Sequence, residues 1–430
     1  MRAAGSVRAV SPGSPGVRVV LDARPLQEPE RAPTTAAYLD SLLGGFDADP
    51  VDGESFAFLL QSDLDDPTIR FEHLSVVGRR LLPPTRLLRS GALTVDPFLV
   101  GGASLGAAWR AERGGAAGAV YHAAGGALPL FSQTPTVVTL LDLAPWELPD
   151  AYQRGVAARF GQRLRGQLLR EAAATIVGTQ AVATAARRLL HLKRDRLYVV
   201  PLAARQPFTS GSRGRGRARA IGAITEARER FGLPERYLVY AGRYDARQDL
   251  ATLVRALADL GAAGRPEGLA EEVAWPPRLI LVGASPDDRA AVARIAARKG
   301  VGDLLVYAPR IELDRAAALV TGARAAILPV VSEASGLVAI EAIAAGTPVI
   351  ASAVGALPEI VGSAGILVEP RDPRRLAAAL ATIWTDETVY EHLSGIVRER
   401  GRKSRRTWVD VARETRGVYA RVGIESERDA

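Results

Sequence analysis

Two glutamates separated by seven residues, Glu333 and Glu341, are the side chains best suited to chemistry in this chain. Ser335, Gly336 and Leu337 lie between them, where a loop should turn into a helix. Carboxylates accept hydrogen bonds from sugar hydroxyls in pairs. The first N–H groups of a helix, and the positive end of its dipole, attract an anion. The pattern therefore predicts a site for a sugar that carries a negatively charged group.

The residues around this pair predict the order strand, loop, helix, strand. The apolar run at 327–329 reads as the end of a buried strand. Leu337, Ile340, Ala344 and Ala345 follow helical spacing, and residues 346–348 (GTP) stop the helix before a strand at 349–351. Glu333 is thereby placed at the carboxyl end of a strand, where open α/β sheets bind ligands.

The segment from Glu333 to Val349 resembles the retaining family 4 of nucleotide-sugar-dependent glycosyltransferases. It reads EASGLVAIEAIAAGTPV, where that family has E-G-F-G-L-P-x-x-E-A-x-A-x-G-x-P-V, and the run LPEIVG at 357–362 matches as well. The resemblance covers nearly the whole chain and is strongest at 237–370. It implies the α/β GT-B fold, in which two Rossmann-like domains face each other across a cleft. The alternative is an ordinary Rossmann helix with one solvated and one capping carboxylate.

The length of 430 residues suits two domains. Short apolar runs at 17–22, 55–60, 118–122, 136–141 and 174–177 alternate with helical patterns, which predicts a parallel, doubly wound sheet. A second set of strands begins at Tyr237. The predicted divisions are a flexible N-terminus at 1–16, an N-terminal Rossmann-like acceptor-side domain at 17–205, a Gly/Arg-rich linker at 206–234, a nucleotide-sugar-binding Rossmann-like domain at 235–388, and C-terminal helices at 389–430 that cross back to the first domain.

Composition limits the partners. The net charge is +8, and almost all of the basic residues are arginine. A positive net charge favours anionic partners. Nucleic acid is not expected, because the arginines are spread along the chain without interleaved aromatic residues. The chain contains no cysteine, no apolar run long enough to span a bilayer and no apolar signal core near its start, so we expect a cytoplasmic protein. Neither a nucleophile elbow nor a P-loop motif is present, which disfavours hydrolases and P-loop kinases.

An amphipathic helix is predicted at 152–173, with Val156, Phe160, Leu164 and Leu168 on one face and the arginines elsewhere. Two interpretations are open. The arginines form a solvated flank, or they meet an anionic membrane surface that would make the protein peripheral at the inner face.

The resemblance implies a donor site without a metal. The segment YAGRYDARQDL at 240–250 is similar to the family's G-R-x-x-x-x-K-N-L, whose arginine and lysine clamp the donor diphosphate. Gly242 and Arg243 match, whereas Gln248 stands at the lysine position and the neighbouring Arg247 is a substitute cation. Asp63-Leu64-Asp65 has the Asp-x-Asp form of some metal sites, but such triplets are common in loops. We expect no metal and no other cofactor.

The same resemblance assigns the remaining donor contacts. Glu333 would face the donor sugar near its reacting carbon and, with Arg243, would be catalytic. Glu341 would hold the ribose hydroxyls. The N–H groups of Gly336 and Leu337, with Ser335, would contact sugar or phosphate.

The acceptor side departs further from the family. Residues 20–26 (VLDARPL) are similar to its opening strand, but Thr34 and Ala36 replace the glycines of the loop that follows. Leu141 replaces a histidine just before Asp142. His122, at the end of a predicted strand, matches a position at the cleft mouth and is an acceptor-side candidate with Thr34 and Asp142, although a histidine at a strand end is more often structural.

Two functions of different class are therefore predicted. One is the transfer of a hexose such as mannose, with retention, from a GDP- or UDP-linked sugar to a glycan or lipid-linked acceptor in polysaccharide biosynthesis. The other is a non-catalytic relative that binds a nucleotide sugar or a partner subunit. The glutamate pair and Arg243 favour the enzyme, because a scaffold would need none of them.

Overall fold

The computed structural model describes residues 17–85, 92–102, 119–125, 127–130, 134–209, 215–242, 244–283 and 285–428, with backbone alone at 93–94, 101–102, 215–220 and 424–428. The chain forms two compact units. Unit 1 contains Met1–Leu202 and Arg406–Ala430, and unit 2 contains Ala203–Arg405. The N-terminal segment 1–16, expected to be flexible, lies outside the described residues.

Unit 1 is built on a parallel sheet of seven strands in the order β3-β2-β1-β4-β5-β6-β7. Its strands are β1 (Arg18–Asp22), β2 (Ser55–Gln61), β3 (Val76–Leu82), β4 (Ala119–Ala124), β5 (Thr136–Thr139), β6 (Ala174–Val177) and β7 (Leu197–Val199). The strand order reverses between β1 and β4, which is the switch point where open α/β sheets offer a crevice to ligands.

Seven helices of unit 1 are described before residue 202. They are α1 (Arg24–Gln27), α2 (Pro33–Ala48), α3 (Ala92–Gly102), α4 (Ala144–Glu147), α5 (Pro149–Tyr152), α6 (Val156–Glu171) and α7 (Gln180–Leu190). The predicted apolar face of α6 is only partly correct. Leu168 is buried, but Val156 is 75% and Phe160 55% exposed, so the first turns of this helix do not pack into the core.

Unit 2 has a parallel sheet of six strands in the order β10-β9-β8-β11-β12-β13. The strands are β8 (Leu238–Ala241), β9 (Leu279–Val282), β10 (Leu305–Ala308), β11 (Ala325–Leu328), β12 (Val349–Ser352) and β13 (Gly365–Val368). Here the order reverses between β8 and β11. The loops that carry the two predicted donor motifs both leave the sheet at this point.

Nine helices of unit 2 are described. They are α8 (Gln206–Thr209), α9 (Arg215–Arg230), α10 (Leu250–Ala262), α11 (Pro286–Arg298), α12 (Leu313–Gly322), α13 (Leu337–Ala344), α14 (Leu357–Val361), α15 (Pro373–Thr385) and α16 (Glu387–Lys403). Apolar side chains pack on both faces of the sheet, among them Ile280 and Leu319 in one cluster and Leu257 and Trp384 in the other. The fold prediction of two parallel-sheet Rossmann-like domains is confirmed.

The predicted linker at 206–234 is wrong for most of its length. Residues 206–209 and 215–230 are helical, and α9 packs against α12 within unit 2. The glycines and arginines suggested a linker because they lack apolar periodicity. Ala227, however, is buried, and Ile224 packs against the core, so a few apolar positions suffice to fix the helix.

The C-terminal helices divide between the units. Helix α16 belongs to unit 2, and only α17 (Trp408–Arg428) belongs to unit 1, so the prediction that residues 389–430 return as one group is wrong. Helix α17 packs tightly on α2, since a Cβ on Gly45 would lie 2.3 Å from the carbonyl oxygen of Trp408. Glycine at this position permits the close approach of the two backbones.

Candidate functional site: a carboxylate loop at the switch point of unit 2

The loop between β11 and α13 is organised by the carboxylate of Glu333. Its Oε1 accepts hydrogen bonds from the Ser335 N–H at 2.9 Å, the Ser335 hydroxyl at 2.7 Å and the Gly336 N–H at 2.9 Å. Among the described residues, no donor meets Oε2, and Glu333 is partly exposed. One oxygen therefore fixes the loop, while the other is available to a ligand.

Gly336 lets this loop enter the helix. Its φ is +63°, in the left-handed region, and a Cβ there would lie 2.1 Å from Cδ1 of Ile360. The prediction that the Gly336 and Leu337 amides are open to a ligand is wrong for Gly336. Its N–H donates to Glu333 instead, and the Leu337 N–H lies 3.4 Å from the Ser335 hydroxyl. A left-handed residue at the helix start turns the amide back toward the carboxylate.

Glu341 is not exposed to the crevice as predicted. It is only 3% exposed, and both of its oxygens accept hydrogen bonds from Arg205, from Nε to Oε1 and from Nη2 to Oε2 at 3.0 Å. Burial raises the pKa of Glu341, and the Arg205 guanidinium opposes that rise. The lone pairs that Arg205 does not use are what this carboxylate can offer to ribose hydroxyls.

A second loop, from the end of β8 to the start of α10, is tied to the first. The Asp249 N–H donates to the Pro329 carbonyl at 2.6 Å, and the Val331 N–H donates to the Arg247 carbonyl at 2.7 Å. Gln248 and Val330 form an isolated antiparallel bridge. The structure thus brings the Gln248 and Glu333 motifs side by side, although they lie far apart in sequence.

Side chains on this second loop are largely committed to one another. Arg247 forms a short ion pair with Asp245, with Nη2 at 2.6 Å from Oδ2, so the prediction that it substitutes for the missing lysine is not supported by its position. Gln248 Oε1 accepts from the Asp245 N–H at 2.9 Å. Gly242 donates its N–H to the Val282 carbonyl. Arg243, the predicted catalytic cation, lies outside the described residues.

Two phenols lie at the same edge of the sheet. Tyr307 is the residue before the last of β10, and the Arg289 guanidinium lies 5.1 Å from the centre of its ring. The hydroxyls of Tyr307 and Tyr244 are buried and have no hydrogen-bond partner among the residues that the structure describes. Burial raises the pKa of Tyr244, and the nearby Tyr307 raises it further. These unpaired hydroxyls are donors and acceptors for a ligand with polar ring atoms.

The acceptor-side candidates in unit 1 differ in exposure and in hydrogen bonding. Thr34 is partly exposed in the first turn of α2. Asp142 Oδ1 accepts a hydrogen bond at 2.8 Å from the N–H of Ala144, the first residue of α4. The prediction that His122 contacts a ligand is wrong, because His122 is fully buried.

His122 belongs instead to a buried hydrogen-bonded chain. Its Nδ1 lies 2.7 Å from the Tyr419 hydroxyl, and its Nε2 lies 2.9 Å from the Thr139 hydroxyl, which in turn meets Tyr38 at 2.9 Å. The chain joins β4 and β5 to α2 and α17. Its role is structural, since it satisfies four polar groups in the core.

Burial of His122 within these hydrogen bonds makes the stability of unit 1 depend on pH. Burial lowers the pKa of His122 to about 3. In the unfolded protein, the His122 imidazole binds a proton near pH 6.5, whereas in the folded protein it stays neutral at that pH. Its contribution to the free energy of unfolding is therefore fully present above pH 6.5 and is lost as the pH falls toward 3. We expect the free energy of unfolding to fall by about 2 kcal/mol from pH 7 to pH 5 through this group. Urea unfolding at pH 7 and pH 5 measures this difference, with His122→Gln as the control. If the free energy of unfolding changes equally with pH in both proteins, His122 is not its source.

Arg205 and Arg165 are residues that sequence reasoning missed as site candidates. Arg205 lies 136 positions from Glu341, and no local pattern signals the contact. Arg165 is one of the arginines that the sequence predicts away from the apolar face of the helix at 152–173, and in the structure it lines a cavity in unit 1.

The fold of both units is that of the GT-B glycosyltransferases. Sucrose-phosphate synthase from Thermosynechococcus elongatus aligns with a TM-score of 0.66 and 21% identity, over 92% of this chain and 96% of that chain. Anabaena Alr3699/HepE, solved in complex with UDP and glucose, aligns with a TM-score of 0.61 and 16% identity, over 93% and 97%. At these identities the likeness establishes the fold alone.

The sequence of unit 2 is similar to a known family. Residues 235–386 match the family described as glycosyl transferases group 1. A D-inositol 3-phosphate glycosyltransferase from Nocardioides sp. is 33% identical over 209 residues, which are 46% of this chain and 45% of the relative. The chain spans about half the length of the curated relatives it matches first.

Proposed function

We propose that this protein is a retaining glycosyltransferase that moves a hexose from a nucleotide diphosphate sugar to a hydroxylated acceptor. The donor binds unit 2 at the switch point between β8 and β11. The observation that carries the proposal is the Glu333 carboxylate, whose Oε1 holds three loop donors while no described residue donates to Oε2. A fixed carboxylate with one open oxygen is suited to a sugar hydroxyl, because it is already oriented before the ligand arrives.

The other proposed donor contacts come from residues at the same edge of the unit 2 sheet. Glu341, oriented by Arg205, accepts from the ribose hydroxyls. The phenols of Tyr244 and Tyr307 supply an aromatic surface with unpaired hydroxyls for the base. Negative charge grows on the diphosphate as the glycosidic bond breaks, and Arg243 is the proposed cation that stabilises it without a metal. Glu333 and Arg243 are therefore the proposed catalytic residues.

The names of the relatives support this proposal and indicate which donors and acceptors to consider. Those found first are named D-inositol 3-phosphate glycosyltransferases, and one structural neighbour holds UDP and glucose. We propose a UDP- or GDP-linked hexose as donor. The acceptor is a glycan, a lipid-linked sugar or a small polyol, and it binds unit 1.

We also propose that the protein works from the cytoplasm at an anionic membrane surface. The start of α6 supports this, because Val156 and Phe160 are exposed and Arg154, Arg159 and Arg163 are exposed around them. Such a surface combines apolar contact with attraction to acidic headgroups. Within the described parts of the chain, no helix has the length and apolar content to cross a membrane.

Calorimetric titration of the full chain with UDP- and GDP-linked hexoses tests the donor. We expect one of them to bind, and Glu341→Ala to abolish the binding. Gln248→Lys should tighten it about tenfold or more, because a charge-assisted contact to phosphate adds ~1.5–3 kcal/mol. Gln180→Lys, which adds the same charge on α7 of unit 1, is the matched control.

Product analysis separates the two functions. Transfer to an acceptor, or slow donor hydrolysis, supports the enzyme. Donor binding with neither reaction would support the non-catalytic alternative, which the Arg247–Asp245 pair and the missing lysine favour. Failure of every nucleotide sugar to bind would overturn both.

A further inference from the structure

Ser335 carries a hydroxyl at a position where the family motif has phenylalanine. The motif begins EASG at 333–336 in this chain, against E-G-F-G in the family. A phenylalanine side chain donates no hydrogen bond, so the contacts of this hydroxyl are a property of this chain. The serine is only 5% exposed. A buried hydroxyl requires a partner, because leaving it unpaired is unfavourable.

The partner of this hydroxyl is the carboxylate of Glu333. The hydroxyl donates to Oε1 at 2.7 Å, and the N–H groups of Ser335 and Gly336 donate to the same oxygen at 2.9 Å each. A carboxylate oxygen offers about two lone-pair positions, so three donors saturate it. Sugar hydroxyls can therefore be accepted by Glu333 at Oε2 alone.

The main chain of Glu333 is held independently of Ser335. Its carbonyl oxygen accepts the Ala356 N–H at 2.9 Å, and a Cβ added to Gly355 would lie 1.8 Å from that oxygen. With the main chain fixed, the direction of Oε2 depends on the side-chain torsions of Glu333. The donors that meet Oε1 fix these torsions, and the Ser335 hydroxyl is the only side-chain donor among those that the structure describes.

Ser335 has no donor left for a ligand. Its N–H and its hydroxyl both donate to Glu333, and the hydroxyl oxygen lies 3.4 Å from the Leu337 N–H. A phosphate oxygen needs a donor, so a direct contact from this serine to phosphate would require Glu333 to be released first. The hydroxyl instead links the carboxylate to the first turn of α13.

We propose that Ser335 is a positioning residue that acts on the donor sugar through Glu333. Its hydroxyl orients the carboxylate so that Oε2 faces the sugar, and the serine itself does not contact the donor. This inference rests on the proposed function, because it requires a donor sugar at Glu333. It differs from the expectation drawn from the family resemblance, in which Ser335 contacts sugar or phosphate.

The test compares nucleotides with nucleotide sugars, because only the sugar meets Glu333. Calorimetry on the full chain uses two pairs of probes, UDP with UDP-glucose and GDP with GDP-mannose. We expect Ser335→Ala to weaken binding of the recognised nucleotide sugar about fivefold, the effect of one hydrogen bond, because the two N–H donors to Oε1 remain. Binding of the matching nucleotide should be unaltered.

A double-mutant cycle with Glu333→Gln separates positioning from direct contact. The Glu333→Gln protein keeps its nucleotide contacts, so its affinity for the nucleotide sugar can still be measured. If Ser335 acts through the carboxylate, Ser335→Ala has no further effect on that affinity in the Glu333→Gln background. A serine that contacts the donor itself would weaken binding by the same factor in both backgrounds.

Ser352→Ala is the matched control. The Ser352 hydroxyl is also buried, and it accepts the Val330 N–H at 3.1 Å in the loop that carries Glu333. Its role is to support the main chain of this loop. Removing it should lower the melting temperature and leave the ratio of nucleotide affinity to nucleotide-sugar affinity unchanged.

Three results would overturn the inference about Ser335. They are unaltered nucleotide-sugar binding by Ser335→Ala, equal effects of Ser335→Ala in the two backgrounds, and a parallel loss of nucleotide and nucleotide-sugar binding with a lower melting temperature, which marks a structural role. Each of them leaves the proposed function standing. If the unsubstituted protein binds neither nucleotide sugar, the proposed function fails and this inference fails with it.

Discussion

Arg205→Ala is expected to lower the free energy of unfolding by about 3 kcal/mol, because it leaves the buried Glu341 carboxylate without its partner. Donor affinity should fall with it, since the carboxylate loses the group that orients it. Urea unfolding and calorimetric donor titration measure the two effects. Arg205 itself is 23% exposed in its side chain, so water reaches the guanidinium more easily than the carboxylate.

A double-mutant cycle isolates this pair. Glu341→Gln alone should cost less than Arg205→Ala, because the arginine left behind can be hydrated. The double variant Arg205→Ala with Glu341→Gln should be more stable than Arg205→Ala, since no charge remains buried. If the two single effects simply add, the ion pair is not the source of the stability.

The pH dependence of the Arg205→Ala effect has a definite sign. Burial raises the pKa of Glu341, and removing the arginine raises it further. A carboxyl whose folded pKa lies above its unfolded value contributes most at low pH and loses that contribution as the pH rises. The destabilisation by Arg205→Ala should therefore be smaller at pH 5 than at pH 8, and the opposite order would exclude this explanation.

Gly355→Ala is expected to reduce the free energy of unfolding by at least ~3 kcal/mol and to abolish donor binding, because overpacking and backbone strain act together. Gly355 has φ +55°, and a Cβ there would lie 1.8 Å from the carbonyl oxygen of Glu333. That oxygen also accepts the Ala356 N–H at 2.9 Å. The clash is with backbone, so the Glu333 loop itself must move.

Gly300→Ala is the matched control in the same unit. Gly300 follows the end of α11 with φ +69°, and no atom lies within 4 Å of an added Cβ. It should cost only the ~1 kcal/mol of left-handed backbone strain and leave donor binding intact. Equal losses for the two substitutions would show that strain, rather than displacement of Glu333, explains the Gly355 effect. Thermal unfolding and donor titration distinguish these results.

Local signals explain why much of the fold could be predicted. The apolar runs that predict strands match β1, β2, β5, β6 and β11 to within a residue or two, because fully buried parallel strands have continuous apolar sequences. The helix after Glu333 was placed correctly by its apolar spacing and by the stop at Gly346. The two failures have different causes. At 206–234, the packing of a few apolar residues on α9 outweighs a polar composition. At 389–430, helices form as predicted, but Leu393 and Val397 of α16 pack into the core of unit 2.

The sequence by itself determined the two-sheet architecture, the glutamate pair and the loop that carries it, since these depend on periodicity and on residues close together in the chain. Only the tertiary structure decided which polar groups are available. Arg205 forms an ion pair with Glu341, and Arg247 forms one with Asp245. His122 is buried in the core, and Arg165 lines a cavity. Each outcome depends on burial and on partners distant in sequence or on side-chain direction, and neither follows from the residue types alone.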